Sequence, residues 1–151
     1  MDFANLRRGE IAAALGGVVL IFALFLPAYS PSDNKNARVA GGTGDASIWD
    51  ANSISRVLLL VAAVAPMILL YVVIRGHELS WPPGELTAVV GLAAVTVLFW
   101  NGVISRPGEP AGQIGLSAGW FLAFLGALGV AGGGAVLASM SERRRKPPGV
   151  L

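Results

Sequence analysis

The sequence predicts an all-α membrane protein: four transmembrane helices in an up-down-up-down bundle, with both termini cytoplasmic. Three observations carry that expectation. Charged residues make up 13% of the 151-residue chain, against about 25% in an average soluble domain. They gather at the ends and in three breaks, leaving four long runs without Asp, Glu, Lys, Arg or His. The second and third breaks are short, so the helices on either side of each must be antiparallel neighbours.

The runs are Ile11–Pro27, Val57–Ile74, Leu86–Ile104 and Ile114–Met140. A bilayer span needs about 20 apolar residues. In lipid the backbone must satisfy its own hydrogen bonds, so each run is expected to be a helix. The first run follows Arg7-Arg8 as a secretory signal would. Its core is longer than the usual ~7–15 residues, however, and Pro31 follows the best cleavage site, so it is read as an uncleaved span. Residues 1–140 form one four-helix domain, and 141–151 a basic cytoplasmic tail.

Orientation follows from the basic residues. Arg7, Arg8, Arg75, Arg143, Arg144, Arg145 and Lys146 lie on one side; Lys35, Arg38, Arg56 and Arg106 lie on the other. The side with more of them is the cytoplasm, and the expected location is the plasma membrane. The external segment 28–53 contains Pro31, Asp33, Asn34 and Gly41-Gly42-Thr43-Gly44, a loop composition. Asp45 is placed to cap a short helix over 46–53. Trp49 would then lie at the membrane surface, where it could meet an external partner. Pro82 and Pro83 suit the first turn of the third helix, with Glu85 at its positive end. Pro66 falls inside the second. Tyr29, Trp49, Tyr71, Trp81, Trp100 and Trp120 all fall near span ends, as an aromatic belt does.

Helices in lipid meet through small residues. Ala123, Ala127, Ala131 and Ala135 recur every four residues in the last run. Gly115/Gly119 and Gly129/Gly133 are small-x-x-x-small pairs there. Ala12/Gly16, Ala13/Gly17 and Thr87/Gly91 are the corresponding pairs in the first and third runs. These glycines are the expected packing sites, joining the fourth helix to the first or to a second copy of the chain.

The chemistry is sparse. There is no cysteine, which removes thiol nucleophiles, disulfides and Cys-based metal sites. A single histidine, His77, excludes a bis-histidine haem or a His-pair metal site within one chain. The glycine runs lack the Lys-Ser/Thr of a P-loop. Asp33, Asp45 and Asp50 read as a solvated loop rather than a cation site. Glu10 is read as lying at the cytoplasmic edge, before the first span. A net charge of +2 is too small to point to nucleic acid. No cofactor or metal is expected.

Gly115-Leu116-Ser117-Ala118-Gly119 does match the G-x-S-x-G of a hydrolase elbow. That motif needs a preceding strand and a base within about 3 Å of the serine. The sequence places Ser117 in the first turn of a membrane helix, bonded to its own backbone, and His77 on the opposite side. Catalysis is therefore not expected.

Leu6-Arg7-Arg8-Gly9-Glu10, an apolar run, Phe25-Leu26-Pro27-Ala28-Tyr29, a glycine-rich polar loop and Ser47-Ile48-Trp49-Asp50-Ala51 together resemble the uncharacterised small four-helix integral membrane proteins of high-GC Gram-positive bacteria. Ala28 stands where that group carries tryptophan. The resemblance implies a plasma-membrane location and the same layout, and it carries no site residue.

Three functions remain open. The first is a structural, assembly or accessory subunit working through helix–helix contacts with a membrane partner or a second copy. The second is a small-solute transporter or channel, which requires a water-lined path past Thr96 and Asn101. The third is a sensor using segment 28–53. Arg143, Arg144, Arg145 and Lys146 are the expected contacts with anionic lipid, each adding about 1 kcal/mol.

Overall fold

The computed structural model describes residues 8–33, 36–75 and 82–145. Arg7, Asn34, Lys35, His77, Trp81 and Lys146 lie outside the described residues. In chain order the elements are α1 (Arg8–Phe25), β1 (Pro27–Pro31), β2 (Ala46–Ser47), α2 (Ile48–Ala51), α3 (Ser53–Ile74), α4 (Pro83–Phe99), a π-helical turn (Trp100–Ile104), a 3-10 turn (Ala111–Gln113), β3 (Ile114–Leu116) and α5 (Ala118–Arg145). Four segments are long and apolar enough to cross a membrane: Arg8–Phe25, Ser53–Ile74, Gly84–Ile104 and Ala118–Ser141.

Helix α5 packs most extensively against α1 and α4, and α3 closes the group against α1 and α4. The contacts run antiparallel. A methyl placed on Gly9 would lie 2.8 Å from the Gly133 carbonyl oxygen, and one on Gly16 would lie 2.7 Å from that of Gly126. On the other flank a methyl on Gly84 would meet Ala138 nitrogen at 2.5 Å, while Gly91 presses on Ala131. Gly17 faces the Ala63 carbonyl and Pro66, inside an α3 that runs unbroken through the proline. At these distances only hydrogen fits. The backbones therefore touch, and dispersion supplies what the hydrophobic effect cannot in lipid.

The chain is mostly helical, as an all-α fold requires, and the structure adds one small sheet to its four long helices. At one end of the bundle a three-stranded antiparallel sheet, ordered β2-β1-β3, forms a cap. Two apolar runs lend their ends to it. Pro27 has no N–H to continue α1 and begins β1. Residues 114–116 form β3, so the last helix begins at Ala118. Hydropathy cannot separate a short apolar strand from the first turn of a helix; pairing with β1 decides it.

Candidate functional site

The cap collects most of the polar contacts among the described residues. In β1 the central residues pair with β3 as Tyr29↔Leu116, Ser30↔Gly115 and Pro31↔Ile114. Prolines occupy both ends of this central strand, where the ladder can spare a donor. Beyond it, Arg38 and Glu109 exchange backbone hydrogen bonds of 2.9 and 3.0 Å. Val39 and Gly42 do so at 2.9 Å each across Ala40-Gly41, both at positive φ (52° and 80°), as the tightest hairpin turns require. Ala37, Val39, Ala46, Ile48 and Ile114 fill the core beneath. Tyr29 joins them, only 2% exposed, and burial pushes its phenol up to about 12.

Ser117 lies between β3 and α5, where the sequence reading expected a helical first turn satisfied by its own backbone. Its hydroxyl lies 2.7 Å from that of Ser30. Ser30 donates to Asp45 Oδ1 at 2.6 Å. A serine has one hydroxyl proton, and Ser30 gives its proton to the carboxylate. Ser117 must therefore donate to Ser30. The result is a directional relay, Ser117 to Ser30 to Asp45, that ties the start of α5, the central strand and the glycine-rich loop together. Asp45 is thus a relay terminus and not a helix cap. Ser47 caps α2, accepting from Asp50 N–H at 3.2 Å and donating to Asp50 Oδ2 at 2.7 Å.

A strand–serine–helix arrangement does surround the G-x-S-x-G stretch. The amide end of α5 is covered by the chain itself. The Ala28 carbonyl takes the Ser117 N–H at 2.9 Å, and the Pro27 and Leu26 carbonyls stand 2.6 and 2.7 Å from where a Gly119 methyl would be. An oxyanion hole needs that space and those amides for substrate.

The remaining expected residues fall as follows. Gly16, Gly17, Gly91, Gly119, Gly129 and Gly133 each lie against another segment's backbone. Gly115 does not: it sits in β3, exposed, with its nearest neighbour the Ser30 carbonyl at 3.6 Å. Gly9, Gly84, Gly126 and Gly134 also lie against another helix, with methyl positions 2.2–2.8 Å from it. Their signal was available in the sequence as spacing: Gly126 and Gly133 lie two turns apart, and Gly84 and Gly91 likewise.

Trp49 is fixed rather than free. Its ring lies 5.1 Å from that of Phe25, and the Arg56 guanidinium lies 5.3 Å from its centroid. Trp120 and Tyr29 are not belt residues. Trp120 is 6% exposed, stacks on Phe124 at 5.1 Å and lies over Gly102. Its Nε1 donates to the Leu98 carbonyl at 3.1 Å. The π-helical turn explains this: its wider ring sends the Ser105 amide to Trp100 and disturbs the ladder beside Leu98. Arg106 closes the same turn, donating to the Gly102 carbonyl at 2.7 Å and to that of Ile114 at 2.6 Å. Trp100 and Tyr71 are exposed, as belt residues would be. Backbone of α5 continues through Arg143, Arg144 and Arg145.

An apolar groove of about 210 Å³ lies between α3 and α4, lined by Leu58, Val61, Ala62, Val90, Ala94 and Val97. A cavity of about 10 Å³ is lined from all four long helices, including Glu10, Pro66, Thr87 and Leu137, and holds one water at most. Glu10 therefore belongs to the first turn of α1 and not to the segment before it. Thr96 bonds back to Leu92 at 2.9 Å and is exposed. Asn101 donates to Ser55 at 2.6 Å, joining the π-helical turn to α3. Among the described residues no group of three His, Cys, Asp or Glu converges as metal ligands would. Comparison with protein-family models, with curated proteins and with solved structures returns no match.

Proposed function

We propose that this chain is a non-catalytic integral protein of the plasma membrane, serving as a structural, assembly or accessory subunit. Its four long helices form an up-down-up-down bundle with both termini cytoplasmic and the cap external. The observation that supports this reading is the solidity of the bundle. The glycine seams are taken up by contacts within the chain, the shared cavity has room for about one water, and Thr96 faces away from it. What the chain can offer a partner is its lipid-facing surface and a stiff cap.

Affinity purification from native membranes in mild detergent tests the role. A stoichiometric membrane partner is expected, and a partnerless monomer would refute it. Orientation has its own check, since no native cysteine interferes. In intact cells an impermeant maleimide is expected to label Thr43→Cys and to spare Ser141→Cys.

A further inference from the structure

Arg56 stands one turn into α3, just before the uncharged stretch Val57–Ile74. Its guanidinium carbon lies over Trp49, 5.3 Å from the ring centroid. Nη1 donates to the Trp49 carbonyl at 3.5 Å. Trp49 is in turn backed by Phe25. The cation is therefore aimed, while most of its five N–H donors are left over from these contacts. Asp50, the carboxylate nearest in the chain, takes a hydrogen bond from Ser47.

The position disfavours a lone cation twice. It lies in the first turn of a helix, at the positive end of the dipole. It also lies at the edge of an apolar span, where charge persists when it has a use. An anion at the guanidinium would offset both costs. The planar fork suits phosphate. On α1, Phe25 touches Trp49, and both Phe25 and Phe22, one turn further into the span, expose large apolar faces.

We propose that Arg56, held by Trp49, binds the phosphate of a glycerophospholipid in the leaflet at the cap end, with the acyl chains lying along Phe25 and Phe22. The proposal needs the helices to cross a bilayer and is independent of any partner.

The test is thermal unfolding of the full chain in maltoside detergent, titrated separately with phosphatidylglycerol, diacylglycerol and inorganic phosphate. Phosphatidylglycerol is expected to raise the midpoint, with the other two far less effective. Arg56→Gln should raise its half-saturating concentration about fivefold, and Arg56→Lys should fall between. Each protein carries the same basic tail, so lipid held there cancels. An unchanged titration in Arg56→Gln overturns the site. An equal response to inorganic phosphate would assign the site to a free anion, and an equal response to diacylglycerol would reduce it to an acyl surface; either overturns the proposal. Should Arg56→Gln fail to fold, brominated-chain phosphatidylglycerol decides the matter in the wild type. It must quench more fluorescence there than in Trp49→Phe.

Discussion

Ser117 gives its proton to Ser30, and Ser30 gives its own to Asp45. Removing the Ser30 hydroxyl therefore breaks both bonds, whereas removing that of Ser117 breaks one. Ser117→Ala is expected to cost about 1 kcal/mol and Ser30→Ala about 1.5–3, because only the latter strips a bond to a charged group. In a double-mutant cycle the two losses should fall short of additivity, measured as midpoints of unfolding in detergent. Ala40 holds a positive φ of 52° beside Gly41. Asn tolerates that region better than Ala does, so Ala40→Asn should stabilise the cap by about 1 kcal/mol. Tyr29 supplies a pH signature. Its folded-state pKa of about 12 lies above the 10.0 of a free phenol side chain, so the folded cap retains a proton that the unfolded chain releases. That contribution is complete below pH 10 and is lost as pH rises towards 12, a fall of about 2–3 kcal/mol. The Tyr29→Phe variant should lose this part of the alkaline destabilisation.

At the scale of elements, α5 is held on both flanks by contacts that admit no side chain. Gly126 lies 2.8 Å, methyl position to backbone, from the Gly16 carbonyl, and Gly134 presses against Ala88. Gly126→Leu should therefore separate α1 from α5 and prevent accumulation of folded protein, whereas Gly115→Ala should be silent. Both are read by detergent-resistant monodispersity after expression. The π-helical turn gives a third comparison. Trp120→Phe keeps a ring over Gly102 but leaves the Leu98 carbonyl without the indole donor, at about 1–3 kcal/mol. Much of this level was legible in the sequence: glycine and alanine at four-residue intervals mark a helix that must approach others closely. What spacing could not give was the partner of each glycine. Gly115 and Gly119 look alike in the sequence, yet one lies in a strand and the other against the turn after α1.

For the whole molecule, the helix bundle carries a cap in which three distant segments, 27–31, 46–47 and 114–116, share one sheet. Its stiffness is relayed into the helices. Arg106 ties the π-helical turn to β3, Asn101 ties that turn to α3, and Phe25, Trp49 and Arg56 tie α1 to α3. A partner would thus meet cap and helices as one body. Deleting the relay should loosen the cap before the bundle, so hydrogen exchange in Ser30→Ala should quicken across 37–48 and stay slow across 123–137.

The sequence by itself determined the number of long apolar helices and roughly where each lies, because lipid forces an uninterrupted apolar run to satisfy its own backbone. Tertiary structure alone decided the cap. Its strands are too short and too far apart in the chain to announce themselves, and each becomes a strand only by pairing with another. The same holds for Ser117 and Trp120. A hydroxyl or an indole can bond to whatever acceptor is near, and which acceptor is near is settled only when the helices have packed.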